Sequence, residues 1–178
     1  MNRMSIRQLT FAAVLAALYA ALTLFLPIPQ YGAVQVRVAE ALTVLPFFFP
    51  AATPGLFIGC VIANLFSPFA LDVVFGSTAT LLACLWTGRL RGRWLAPLPP
   101  VVCNAVIVGA ELAFFEVGAG PAFWGAFAFH ALTVGAGELL ACCVFGGALL
   151  TALYRTPACR AYISHSRLEQ VRGFDQCG

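Results

Sequence analysis

Long apolar runs alternate with short polar breaks along the whole chain. A helix that crosses a bilayer needs about 20 apolar residues, within a range of about 17–25. Proline, glycine and charged residues cluster in the breaks, where they interrupt helices. The pattern predicts an all-α integral membrane protein, built as a bundle of six transmembrane helices. The predicted spans are Leu9–Leu26, Val34–Phe49, Ala51–Phe66, Leu71–Trp86, Leu98–Phe115 and Phe123–Tyr154.

The second, third and fourth spans are shorter than a typical crossing. We expect them to be tilted, kinked or re-entrant, and a re-entrant second and third span would leave the sidedness of the later spans unchanged. The first span follows "MNRMSIR" and has 18 residues, more than the apolar core of about 7–15 residues in a signal peptide. We therefore expect this span to be retained.

Composition supports the membrane assignment. Hydrophobic residues make up 61% of the 178 residues and charged residues only 10%, whereas soluble domains carry about 25% charged residues. The net charge of +3 is too small to indicate a nucleic-acid partner. The seven cysteines contain no C-x-x-C pair, and we interpret them as small apolar packing residues.

The arginines set the predicted orientation. All ten basic residues are arginines, and nine of them fall at breaks that an even number of spans places on one side. Basic loops stay in the cytoplasm, so this side of the cell membrane and both termini are predicted to be cytoplasmic. Residues 1–155 would form the membrane domain and residues 156–178 a cytoplasmic tail, with Arg37 alone on the outer side. The nine are Arg3, Arg7, Arg89, Arg91, Arg93, Arg155, Arg160, Arg167 and Arg172.

Polar side chains at bilayer depth are costly, and they are usually functional or paired. The predicted topology places most of the candidates in the outer half of the bundle, whereas Glu138 and Asn104 lie deeper. A polar pocket that opens to the outside is the simplest arrangement that explains them. The candidate substrate-binding residues are Arg37, Glu40, Asn64, Asp72, Glu111, His130 and Glu138.

Simpler roles remain open for several of these side chains. Arg37 and Glu40 are three residues apart and would pair on one helix face. Asp72 would cap a helix N-terminus, and His130 would be a packed core histidine. Asn64 would hold helices together.

The first span carries two ladders of alanine at four-residue spacing. Such stripes let helix backbones approach closely inside lipid. One ladder is enough for packing inside the bundle, so two adjacent ladders predict that this helix also meets another protein. The candidate docking residues are Ala12, Ala16 and Ala20 in one ladder and Ala13, Ala17 and Ala21 in the other.

Five blocks of sequence carry a resemblance to a known family. They are "YGAVQVRVAEALTVLPFF", "GCVIANLFSP", "LDVVFGSTATLLA", "NAVIVGAEL" and "GAGELL". In these blocks, from about Leu9 to Leu150, the chain resembles the QueT family, which is regarded as the substrate-binding (S) component of energy-coupling factor (ECF) transporters. The chain departs from the family at "FGGALL", where a proline is expected near Gly147, and the tail after Arg155 has no counterpart.

The resemblance implies a six-helix bundle of the S-component type. It implies a queuosine precursor as ligand, a 7-deazaguanine such as preQ1, preQ0 or queuine. It also implies a transmembrane coupling protein and two ATPase subunits as partners, which would dock on the alanine ladders. The chain has no Walker A sequence, so ATP would be used by the partner ATPases and no cofactor is expected here.

The implied ligand suits an acidic pocket. A deazaguanine presents a ring N–H and an exocyclic amine side by side, and one carboxylate can accept both. PreQ1 adds an aminomethyl group that is cationic at neutral pH. Tyr31, Phe47 and Trp124 are candidates for stacking on the base. Arg37 would hold Glu40 in position or contact the base carbonyl.

Two other classes compete with this interpretation. A secondary transporter would use Glu111 and Glu138 to carry protons, since both acids lie deep in long helices with no basic residue nearby in the sequence. No internal repeat of the kind that builds alternating access is present. An intramembrane enzyme is disfavoured because the chain lacks H-E-x-x-H, G-x-S-x-G and a deep pair of aspartates.

Overall fold

A computed structural model describes residues 4–165, 167–169 and 171 of the chain. Within these residues, every regular element is a helix, which confirms the predicted all-helical architecture. The α-helices are α1 (Ile6–Phe25), α2 (Ala52–Asn64), α3 (Phe75–Thr87), α4 (Leu98–Val117), α5 (Phe123–Leu139), α6 (Gly147–Arg155) and α7 (Pro157–Arg160). A 3₁₀ helix covers Val38–Phe47, a π-helical segment covers Leu140–Gly146, and 3₁₀ turns cover Ala70–Val73 and Arg93–Leu95.

Four helical stretches are long and apolar enough to cross a membrane: Ile6–Phe25, Ala70–Thr87, Arg93–Val117 and Phe123–Arg155. The 3₁₀ helix has 10 residues and α2 has 13. At about 2.0 Å and 1.5 Å of rise per residue, each is about 20 Å long. The hydrocarbon core is about 30 Å thick. Six helical segments follow the predicted order, and the count of six full crossings stays a prediction.

Local sequence explains where α1 begins and ends. The Ser5 hydroxyl accepts a hydrogen bond from the backbone N–H of Gln8 at 3.3 Å, and the Gln8 side chain accepts one from the Ser5 backbone at 3.0 Å. This reciprocal cap satisfies two backbone donors that a helix start leaves free. The helix ends at Phe25, and Leu26 is extended, as expected for a residue that precedes proline.

The 3₁₀ helix is unusually long, because runs of more than three or four residues are uncommon. It faces the π-helical segment. A Cβ on Gly146 of the π segment would lie 3.2 Å from the carbonyl oxygen of Ala41 and 2.9 Å from the Val44 side chain. Glycine therefore allows an overwound helix and an underwound helix to pack closely.

Close backbone contact also joins α1 to α2. A Cβ on Gly55 would lie 2.2 Å from the carbonyl oxygen of Ala12, and one on Gly59 would lie 2.6 Å from that of Ala16. These distances are too short for any side chain. The contact explains why α1 carries alanine on this face.

The two alanine ladders therefore have different surroundings. Ala12, Ala16 and Ala20 are buried, and the first two pack inside the bundle against α2. Ala13 and Ala17 are exposed, and Ala21 is half-buried. The buried ladder packs within the chain and is not accessible to a partner. The second ladder remains on the surface and is accessible.

The C-terminal tail packs against one end of the bundle. Ile163 and Val171 belong to an apolar cluster with Phe47, Phe48 and Leu150. We call this the tail end of the bundle. Three sequence-based assignments, to Arg3, Arg172 and Cys177, lie outside the described residues.

The side chain of Arg167 fastens the tail to the chain between α3 and α4. Its guanidinium donates to the carbonyl oxygen of Leu90 at 2.6 Å and also to that of Gly88. The described part of the tail is thus attached to the bundle by both apolar packing and hydrogen bonds.

We expect Gly55→Ala to destabilise the protein by about 1–3 kcal/mol, because the added methyl group would overlap the backbone of α1. Thermal unfolding in detergent would measure the effect. Gly125→Ala is the matched control, since nothing lies within 4 Å of a Cβ there and alanine favours the helix by up to about 1 kcal/mol. Equal stability of the two variants would contradict the close α1–α2 contact.

Candidate functional site

Glu40 lies in the 3₁₀ helix and is completely buried. Its Oε1 accepts hydrogen bonds from the hydroxyl groups of Tyr19 on α1 and Thr80 on α3, the latter at 3.0 Å. Its Oε2 is buried and has no hydrogen-bond partner. One oxygen of this carboxylate is therefore held by the bundle, and the other is left for a further donor.

Arg37 precedes Glu40 by one turn and is also buried. Its Nε donates to the carbonyl oxygen of Gln30 at 3.2 Å, and its guanidinium lies 5.1 Å from the centre of the Tyr31 ring. Within the described residues, no ion pair of 4.0 Å or less joins Arg37 to Glu40. The simple pairing on one helix face is therefore not formed.

The segment between α1 and the 3₁₀ helix is attached to α2 by a hydrogen bond next to this arginine. Tyr31 donates its hydroxyl hydrogen to the carbonyl oxygen of Ala63 on α2 at 2.7 Å. Both amide atoms of the buried Gln30 side chain lack hydrogen-bond partners, as does Nη2 of Arg37. Buried polar groups in folded proteins are rarely unpaired, so this concentration marks a polar site.

Asn64 and Asp72 form a second part of the polar cluster. Asn64 Nδ2 donates to the backbone carbonyl of Asp72 at 2.9 Å and to the Ser77 hydroxyl at 3.2 Å. The Ser67 hydroxyl donates to the Asp72 carboxylate. Asp72 does not cap α3, because the N-cap residue is Val74 and no side chain caps that helix. Asn64 does hold helices together, as its simpler role predicted.

Glu111 on α4 lies beside the Asp72 carboxylate. Packing of Phe69 on Phe115, with ring centres 5.4 Å apart, holds the segment before Asp72 against α4. Glu111 is only 5% exposed, and neither of its carboxylate oxygens receives an N–H, hydroxyl or thiol donor. Two acids are therefore brought together in a buried place.

Glu138 approaches the site from α5. The Cys142 thiol contacts both the Glu138 carboxylate at 3.5 Å and the backbone carbonyl of Glu40 at 3.4 Å. The Asn104 side chain of α4 also lies next to Glu138. Glu138 thus reaches the same polar cluster as Glu40, through Cys142.

His130 is engaged elsewhere. Its Nε2 lies 2.5 Å from a carboxylate oxygen of Glu116 on α4. No hydrogen bond or ion pair within the described residues links the His130 side chain to the four buried acids. Thr80 and Cys60 link Glu40 to Asn64 through contacts of 3.0–3.3 Å, and Tyr31, which lies against Arg37, bonds to the residue before Asn64. The other six candidates are thus joined by short chains of contacts, and His130 lies in a separate pair.

Two of the three proposed stacking residues are in the wrong place. Phe47 is buried at the tail end, 5.4 Å from the guanidinium of Arg167, because it closes the C-terminal end of the 3₁₀ helix. Trp124 is 73% exposed and contacts Phe127 rather than the polar cluster. Tyr31, beside Arg37, is the one that lies at the site.

Sequence reasoning did not select Tyr19, Thr80 or Gln30. Tyr19 has a detectable signal, since it is the only residue with an aromatic hydroxyl in α1, and a buried tyrosine hydroxyl needs a partner. Thr80 and Gln30 carry no such signal. Their roles depend on contacts with residues far away in the sequence.

The charge balance of this cluster is strongly asymmetric. Four acidic side chains of the cluster are buried: Glu40, Asp72, Glu111 and Glu138. Among the described residues, Arg37 is the buried arginine. A helical bundle with such an acidic polar centre and long apolar helices is a multi-pass membrane protein.

Comparison with known proteins agrees with this class: the family model described as QueT transporter matches residues 9–155. The chain belongs to the QueT transporter family.

One curated relative is named queuosine precursor transporter QueT and comes from Lactococcus lactis subsp. cremoris (strain MG1363). It is 39% identical to this chain over 72 residues, which are 39% of this chain and 43% of that protein. The aligned part therefore spans less than half of the relative's length. No solved structure matches the chain.

We expect Tyr19→Phe to destabilise the protein by about 1–3 kcal/mol, because the Glu40 carboxylate would lose a buried donor. Chemical or thermal unfolding in detergent would measure the loss. Tyr162→Phe serves as the control, since Tyr162 is 82% exposed and should unfold like the unmodified protein. A neutral Tyr19→Phe variant would show that this hydroxyl does not stabilise Glu40.

Proposed function

We propose that this chain is the substrate-binding subunit of an ECF-type importer that captures a queuosine precursor from outside the cell. The observation that carries the proposal is Glu40, a fully buried carboxylate whose Oε2 has no partner. The ring N–H and exocyclic amine of a 7-deazaguanine are donors that such an oxygen would accept. The name of the curated relative supports the ligand class.

The residues around Glu40 would complete recognition of the base. Nη2 of Arg37 is a free donor and suits the carbonyl group of the base, and the Gln30 amide offers an NH2 donor group and a carbonyl acceptor. The half-buried Tyr31 ring would supply a stacking surface. Tyr19 and Thr80 would act indirectly, by fixing the position of the carboxylate.

Transport would require protein partners. The proposed partners are a transmembrane coupling protein and two ATPase subunits, since the chain has no phosphate-binding loop of its own. The exposed alanines of α1, Ala13 and Ala17, together with the half-buried Ala21, would form the docking surface. In this arrangement the chain lies in the cell membrane with both termini in the cytoplasm, as the arginine distribution predicts.

A proton-coupled secondary transporter is the alternative. The observation that favours it is the placement of Glu111 beside Asp72, together with the burial of Glu138. Neighbouring buried acids can share and release a proton. Under this alternative, the chain would transport its substrate without any partner.

Glu40→Gln is expected to weaken binding of preQ1 or preQ0 by about 10- to 100-fold, because glutamine replaces an acceptor oxygen with a donor. Arg37→Gln should cost less than Glu40→Gln, because glutamine keeps an N–H donor for the base carbonyl, whereas Glu40→Gln places a donor where an acceptor is needed. Isothermal titration of detergent-purified protein would measure both variants against both compounds.

The matched control for this titration is Glu169→Gln, which alters an exposed acid of the tail. Equal losses for preQ1 and preQ0 would assign Glu40 to the edge that both compounds share. A loss limited to preQ1 would assign it to the aminomethyl group. Unchanged affinity of Glu40→Gln for both compounds would exclude Glu40 from the site.

Ala17→Leu is expected to weaken assembly with the coupling protein about fivefold or more, because bulk on the exposed ladder separates the two surfaces. Ligand binding should be retained. Co-purification with the coupling protein and ATP-driven uptake in liposomes would be measured. Ala128→Leu, at an exposed position of α5 outside the ladders, is the control.

Ala16→Leu provides an internal comparison, since Ala16 contacts Gly59 and its enlargement should disturb folding rather than docking alone. Normal assembly of Ala17→Leu would remove the exposed ladder from the interface. Proton-driven uptake by liposomes that contain this chain alone would support the secondary transporter instead.

A further inference from the structure

Asp72, Glu111 and Asn64 form a group of buried acceptors next to, but distinct from, Glu40. Glu111 lies beside the Asp72 carboxylate, and Asn64 is attached to the Asp72 backbone through Nδ2 at 2.9 Å. Because Nδ2 is engaged there, Asn64 offers its Oδ1 atom, which is buried and has no hydrogen-bond partner. Both Glu111 oxygens are also buried, and neither receives an N–H, hydroxyl or thiol donor from the protein.

A shared proton does not satisfy this arrangement. One proton between Asp72 and Glu111 would engage a single oxygen of Glu111, and it would leave the other oxygen and Asn64 Oδ1 unpaired. Two adjacent carboxylates in a buried place cannot both ionise without a compensating cation. Arg37 is close enough to interact electrostatically with both acids, but it makes no ion pair of 4.0 Å or less with either. Its single charge also acts on Glu40 and Glu138, so it cannot balance four buried acids.

A primary ammonium group matches these acceptors in the number of its donors and in the sign of its charge. It carries one positive charge and three N–H donors and has no acceptor. Asp72, Glu111 and Asn64 supply three acceptor side chains, two of them acidic. Within the described part of the chain, no group of three or more His, Cys, Asp or Glu side chains is placed to hold a metal ion.

We infer that Asp72, Glu111 and Asn64 bind a primary ammonium group of the transported molecule, so the site selects a 7-deazaguanine that carries an aminomethyl substituent. This inference rests on the proposed function. Under this inference, two parts of the polar cluster bind two different parts of the ligand. Glu40 would bind the edge that all 7-deazaguanines share. Asp72, Glu111 and Asn64 would bind the cationic substituent.

The test uses three probes that differ only at position 7 of the base: the aminomethyl compound preQ1, the cyano compound preQ0 and 7-methyl-7-deazaguanine. Each would be titrated into the full-length, detergent-purified chain. The unmodified protein should bind preQ1 about 10- to 100-fold more tightly than the 7-methyl compound, because charge-assisted hydrogen bonds are strong. Replacing sodium chloride with choline chloride should not change this ratio.

Glu111→Gln keeps the shape of the side chain and removes its charge. It should abolish most of the preference for preQ1 and change the affinity for the 7-methyl compound by less than about threefold. Glu169→Gln, on the exposed tail, should keep the full preference. Glu40→Gln should weaken all three probes alike.

Four results would overturn the inference. Equal binding of preQ1 and 7-methyl-7-deazaguanine to the unmodified protein is decisive even if Glu111→Gln does not fold. Equal weakening of both by Glu111→Gln would assign Glu111 to the shared part of the base, and a requirement for sodium would assign the site to an inorganic cation. Failure of all three probes to bind would overturn the proposed function together with this inference.

Discussion

Burial of the Glu40 carboxylate is the constraint on which the centre of this bundle depends. A carboxylate without hydrogen-bond donors in an apolar interior is very costly. Tyr19 and Thr80 supply two donors from two different helices, so α1 and α3 must both approach the 3₁₀ helix at Glu40. The acid thereby fixes the relative positions of three segments. The hydrogen bonds to Glu40, and not apolar packing alone, specify how these three segments are arranged. Lipid-facing side chains provide little preference for one packing of the helices over another.

Irregular helices make this convergence possible. Side chains three residues apart are eclipsed in a 3₁₀ helix, so Glu40 and Thr43 lie on one line, and the Thr43 hydroxyl donates to the Glu40 carbonyl at 2.6 Å. The facing π-helical segment brings Cys142 to the same carbonyl. Irregular segments of both kinds occur frequently at functional sites. Here they place a charged side chain and its supporting groups in the contact between two helices.

Sequence reasoning succeeded where the signal is local and failed where it depends on distant contacts. Apolar runs predicted the helical segments, because burial in lipid or in the core requires continuous apolar length. The alanine ladder predicted close packing, and Gly55 completes that contact on the partner helix. The 3₁₀ geometry of Val38–Phe47 could not be predicted, since propensity separates α and 3₁₀ helices poorly and tertiary contacts decide between them.

The candidate site shows the same division. The buried acids could be selected from the sequence, because charge inside an apolar run is rare. Their partners could not, since the Tyr19–Glu40 bond joins residues 21 positions apart and the His130–Glu116 pair joins two helices. Phe47 was misplaced for a related reason. Its position follows from where the 3₁₀ helix ends, which the apolar pattern does not show.

The 3₁₀ helix also sets the distance between its two ends. A 3₁₀ helix rises about 2.0 Å per residue and an α-helix about 1.5 Å, so the 10 residues of this segment would shorten by about 5 Å on conversion to α geometry. One end of the segment follows Arg37, and the other carries Phe47, which packs against Ile163 and Val171 of the tail. The 3₁₀ geometry therefore holds the polar cluster about 5 Å farther from the tail end than ten residues of α-helix would.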